Sequence, residues 1–91
     1  MAKVFLLRTW NGHFYMNQGF VLADSFEKLA DDMGGVLFQD KCKRKGVLIP
    51  VSLFANRHYR FGPIDLWAAP DETDDVRLYV CEIPLLVHLY T

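Results

Sequence analysis

The side chains best suited to chemistry here are His13, His58, His88, Cys42 and Cys81, which bind soft metals or carry protons. None stands at the C-x2-C, H-x3-H or H-E-x-x-H spacing that assembles a metal site. No metal and no cofactor is therefore expected. Neither Ser25 nor Ser52 occupies a G-x-S-x-G elbow, so serine nucleophile chemistry has no footing. Cys42, flanked by Lys41, Lys43 and Arg44, meets the electrostatic condition for a lowered thiol pKa; a cysteine beside a basic turn is more often incidental. A metal-free nuclease could use His13 and His58 as base and acid, with Arg60 or Lys43 on the phosphate. No local pattern brings those residues together, so an enzyme is only the second alternative. Asp71, Glu72, Asp74 and Asp75 lack the EF-hand order. Gly34-Gly35 follows a helix instead of opening one, which rules it out as a phosphate cradle.

Binding chemistry has better candidates. Lys41, Lys43, Arg44 and Lys45 form a basic cluster, and Arg57, His58, Tyr59 and Arg60 interleave cations with a ring. Joined to Arg8, Trp10 and Tyr15, they could track a phosphate backbone and stack bases. The overall balance opposes this, since the formal net charge is −1 where a dedicated nucleic-acid binder carries a basic excess. Protein recognition accounts for more of the features. Arg8, Trp10, His13, Tyr15 and Asn17 fall on one strand face, and Trp, Tyr and Arg are the residue types that anchor interfaces. The acidic run of Asp71, Glu72, Asp74 and Asp75 would steer docking. As plain structure, the same runs are solvated turns, and basic residues also guard sheet edges.

Composition sets the bounds. Ninety-one residues, of which 52% are hydrophobic and 14% aromatic, imply one compact domain over 1–91 and exclude intrinsic disorder. So many rings in so small a chain leave some for a contact surface or a dimer interface. The apolar run in MAKVFLLRTW is too short for a signal peptide, and no stretch reaches the ~18 residues of a membrane span. A cytoplasmic protein with no membrane association is expected, its Cys42 and Cys81 being free, buried thiols.

These residues must be positioned by few elements. ADSFEKLADDMGG, residues 23–35, is the one confident helix: Phe26, Leu29, Ala30 and Met33 recur at i, i+3, i+4 and i+7. Asp24 is expected to cap it, with Glu27 completing an acidic capping box, and Gly34-Gly35 to end it. Asn11-Gly12 between two apolar runs predicts a two-residue hairpin turn pairing Trp10 with His13 and Arg8 with Tyr15. Phe5, Leu7, Phe14 and Met16 would then face the core. A third strand starts at 36–38 and runs toward Cys42, and 43–46 form a turn. Residues 47–54 return, extended by 56–60, with Pro50 marking a sheet edge or a bulge. Further strands are expected at 64–68 and 76–83, with LLVHLYT after Pro84 as a last strand or a docked tail.

The sequence thus predicts an α+β fold in the order β-β-α-β-β-β-β, one short helix packed on a mainly antiparallel, curled sheet. The functional expectation is a small non-catalytic interaction module that modulates or inhibits a larger protein or nucleoprotein complex. A phage or mobile-element antagonist of a host defence system, of the anti-CRISPR type, is one concrete form. The alternative is a nucleic-acid binder using 41–45 and 57–60. A homodimer formed through the aromatic face or the strand carrying Pro50 is compatible with either.

Overall fold

In a computed structural model the described residues are 2–84; the LLVHLYT segment and His88 lie outside them. Strand β1 (Lys3–Trp10) and strand β2 (Tyr15–Ala23) form the first hairpin, and helix α1 (Phe26–Met33) follows. A second hairpin, β3 (Val36–Gln39) and β4 (Lys45–Ile49), leads through a 3-10 turn at Val51–Leu53 to a third. That third hairpin is β5 (His58–Phe61) and β6 (Ile64–Trp67), and β7 (Val76–Ile83) closes the order. Strands β2-β1-β7-β4-β3 make a five-stranded antiparallel sheet, and β5-β6 a separate two-stranded one. The α+β class and the single helix on an antiparallel sheet are as expected, and the sheet is open rather than closed. The returning strand read over 47–60 divides into β4 and β5, because Pro50 starts the 3-10 turn. Strand β4 therefore ends before the proline and sits inside the sheet between β3 and β7, not at an edge.

The helix forms where its periodicity predicts. Leu29, Ala30 and Met33 are buried, and the Phe26 ring meets Phe5 edge-on at 6.3 Å. Its cap is Ser25 rather than Asp24: the Ser25 backbone is extended, and its Oγ accepts the Lys28 amide at 3.0 Å. Gly34 adopts the left-handed conformation, φ 74°, and the Gly35 amide reaches the Ala30 carbonyl at 2.9 Å. Gly35 has a second role, since a Cβ there would lie 2.3 Å from Val47 Cγ1. The chain leaving the helix thus lies directly against β4.

The first hairpin differs in register from the two-residue reading. Trp10 pairs with Tyr15 and Arg8 with Asn17, so the loop holds four residues, Asn11 to Phe14. Asn11 Oδ1 accepts the His13 and Phe14 amides at 2.9 and 3.0 Å, an Asx arrangement that withdraws both from the ladder. Phe14 falls in the loop and is exposed; Met16, on the covered side of β2 but outside the core cluster, is exposed as well. Between Arg8–Asn17 and Leu7–Gly19 the register shifts, leaving Gln18 as the extra residue of a bulge. The bulge reverses the parity of β2. Tyr15 and Asn17 share the outer face with Arg8 and Trp10, while Val21 joins Phe5 and Leu7 in the core.

One cluster makes up the core. Phe5, Leu7, Val47, Ile49, Leu78 and Val80 from the large sheet meet Leu29, Ala30 and Met33 of α1, and Tyr59, Ile64 and Leu66 of the β5-β6 hairpin. Both the helix and the small hairpin therefore cover the same face of the five-stranded sheet. Among the described residues, no element packs on the opposite face.

Candidate functional site

Strand alternation assigns the uncovered face. Val4, Leu6, Arg8 and Trp10 of β1 lie beside Leu22, Phe20, Asn17 and Tyr15 of β2. Ile83, Cys81 and Tyr79 flank β1 on its other side. Gly46 and Leu48 of β4, then Phe38 and Val36 of β3, continue the face outward. Its two edges are apolar and wet: Phe20 is 57% and Leu22 70% exposed on β2, and Val36 61% on β3 at the opposite edge.

The other half of this face is a lattice of rings and guanidinium groups. Trp10 meets Tyr15 edge-on at 4.9 Å, Tyr15 meets Tyr79 at 5.4 Å, and Phe38 meets Tyr79 at 5.5 Å. The Arg8 guanidinium stands 4.3 Å over the Tyr15 ring, and Arg77 lies 5.0 Å over Phe38. Arg44 bridges the lattice, lying 5.3 Å from the Tyr79 centroid and donating to Tyr15 Oη at 2.6 Å. Phe38 reaches Tyr79 only because position 46 is glycine. A Cβ there would lie 2.5 Å from Phe38 Cε1 and 2.1 Å from the Leu78 carbonyl oxygen.

Asp40 organises the basic turn. Its Oδ1 accepts the Cys42 and Arg44 amides at 2.9 and 2.8 Å, and its Oδ2 accepts Arg44 Nε at 2.8 Å. Burial pushes the Asp40 carboxyl up, but the Arg44 amide and guanidinium and the Cys42 amide outweigh this and hold it below its ordinary range. Arg44 is raised, first by its bond to Tyr15 and then by Asp40. Because Asp40 starts the turn and Lys43 completes it at positive φ, Lys45 and Gly46 belong to β4 instead of the expected 43–46 turn. Cys42 is exposed in this turn and Cys81 half-buried; both are free, so the expectation of two buried thiols fails.

Several of the predicted site residues thus converge, across the two sets the sequence kept apart. Arg8, Tyr15, Lys43, Arg44 and Lys45 line one cleft of about 320 Å3, floored by Tyr79. Arg57, His58, Tyr59 and Arg60 belong to the other sheet and do not extend it. Tyr59 is buried, with its Oη donating to the Met33 carbonyl at 2.8 Å, and burial raises its pKa. It cannot serve as a stacking ring. Arg57 donates to the Ala69 carbonyl at 2.5 Å, while His58 stacks on Trp67 at 4.1 Å and bonds Asp65. His13 lies exposed in the β1-β2 loop of the five-stranded sheet, whereas His58 is carried by the small sheet. Asp71, Glu72, Asp74 and Asp75 precede β7, whose first residue pairs with Ile49, whereas the basic turn enters β4 at Lys45. The two charged loops therefore sit at opposite ends of β4.

Sequence reasoning missed Phe20, Leu22, Phe38, Asp40, Arg77 and Tyr79. Only Asp40 carried a local signal, as a turn former before a run of cations. No group of three metal-ligating side chains occurs among the described residues, and no helix there is long and apolar enough to cross a membrane. Compared with protein-family profiles, curated proteins and solved structures, the chain gives no match.

Proposed function

We propose that this protein is a non-catalytic interaction module that engages a larger protein or nucleoprotein complex through the open face of its five-stranded sheet. The observation that carries this reading is the uncovered face itself. It joins exposed apolar edges to a fixed Arg-aromatic lattice, the composition of an interface centre. A non-catalytic domain of this kind would act on such a complex by occupying it, so modulation or inhibition is the expected consequence.

Nucleic-acid stacking fits this face less well. Bases need free ring planes beside a continuous cationic track. Here Trp10 offers one ring, 46% exposed, but Tyr79 is 5% exposed, Tyr15 is covered by Arg8, and the 57–60 cluster lies on a different sheet.

The test is affinity purification of the tagged chain from its source cells, with nuclease-treated and untreated halves. A stoichiometric protein should survive nuclease, vanish with Trp10→Ala or Leu22→Asp, and persist with Trp67→Ala on the small hairpin. Trp67, at 68% exposed, is the matched control for a large exposed ring elsewhere. Recovery of nucleic acid alone, or loss only with Trp67→Ala, would overturn the assignment.

A further inference from the structure

We propose that the cleft between Arg8, Lys43, Arg44 and Lys45 is an acceptor for an acidic peptide segment of the protein partner. This rests on the open-face reading and names the chemistry of one part of it. Four cations and one carboxylate, Glu82, line the cleft; Glu82 pairs with Lys3 at 3.8 Å, and Asp40 beside the cleft pairs with Arg44 at 2.8 Å, so the lining keeps an excess of positive charge. Arg8, Lys43 and Lys45 form no ion pair among the described residues. Arg8 Nε is shut off from solvent and has no hydrogen-bond acceptor among the described residues, a donor that most folds satisfy.

The cleft is also held in place before any partner arrives. Arg44 is fixed from two sides by Asp40 and Tyr15, and the Arg8 guanidinium is held over the Tyr15 ring. Planar guanidinium forks suit carboxylates, which accept two parallel N–H bonds. Phosphodiesters would satisfy the same charge. A nucleic acid, however, would also need rings on which to stack its bases; Tyr79 is buried and Tyr15 is covered by Arg8, which leaves Trp10 as the exposed ring beside the cleft. An acidic peptide needs no stacking ring.

The experiment is fluorescence anisotropy on the full chain at low salt. The probes are labelled octaglutamate and a labelled eight-nucleotide oligothymidylate, with inorganic phosphate as competitor. Octaglutamate should saturate at one per chain and bind more tightly than the oligonucleotide. Lys43→Glu with Lys45→Glu should weaken it roughly tenfold or more, and Arg8→Lys, which keeps the charge but loses Nε and the fork, roughly tenfold. Circular dichroism of each variant controls for folding, and Arg60→Glu on the small sheet should leave binding unchanged. The inference is overturned if the oligonucleotide binds more tightly or if phosphate displaces the peptide at equal concentration. It is equally overturned if Arg8→Lys and the lysine pair, both folded, change nothing. Partner capture separates the two claims. Loss with Leu22→Asp but survival with Lys43→Glu/Lys45→Glu removes the cleft and keeps the face; survival with Leu22→Asp removes the face.

Discussion

Gly46→Ala is the most informative single perturbation of this fold. The new methyl carbon would lie 2.1 Å from the Leu78 carbonyl oxygen and 2.5 Å from Phe38 Cε1. Ordinary contact distances are an ångström or more longer, so β4 must move away from β7 and the Phe38 ring must leave its place. Overpacking of this kind costs roughly 1–3 kcal/mol, and loosening one or two ladder bonds adds about 0.5–1.5 kcal/mol each. A total near 3–4 kcal/mol is a large part of the ~5–15 kcal/mol that holds a small domain. The melting temperature should fall by about 12 °C or more. Urea unfolding followed by circular dichroism measures this directly. Adding Phe38→Ala to Gly46→Ala should return the share of the cost due to the ring, while the clash with the Leu78 carbonyl persists. The double mutant should therefore remain less stable than Phe38→Ala alone. A stability change below about 0.5 kcal/mol in Gly46→Ala would refute the close approach of β4 and β7, and with it the geometry that positions the lattice.

Two further outcomes test the supports of the site. Tyr59→Phe removes the hydroxyl that satisfies the buried Met33 carbonyl, and should cost about 1–2 kcal/mol in chemical denaturation without altering partner capture. Unchanged stability would place that hydroxyl in water. Asp40 provides the pH test. Its folded pKa lies below the ordinary 3.8, so its contribution is fully present above that value and is lost as the pH falls through the folded pKa. Amide resonances of Cys42 and Arg44 should stay fixed from neutral pH down to about that value and shift only below it. A transition near pH 6, or Asp40→Ala leaving both amides in place, would remove Asp40 as organiser of the turn.

Local chemistry was sufficient for the helix. Four apolar positions at helical spacing, polar candidates before them and glycine after them describe one element whatever surrounds it, and only the cap moved from Asp24 to Ser25. Strand existence, the α+β class and the turn at Asn11-Gly12 were legible for the same reason. The shared outward face of Arg8, Trp10, Tyr15 and Asn17 was anticipated as well, although the predicted register was not the observed one. Where sequence reasoning stopped was at quantities with no local cause. An extra residue at Gln18 reverses which side of β2 is buried, and the neighbouring Gly19 marks only a loosened strand, not which residue is extra. Tyr79 stands far along the chain from Tyr15, and Arg44 joins them only because β7 lies between β1 and β4. The same strand order separates Tyr59 and its neighbours from the basic turn. Composition and periodicity fix which segments become helix and strand. Long-range pairing decides which cations share a cleft, because side-chain proximity across a sheet depends on strand order and register.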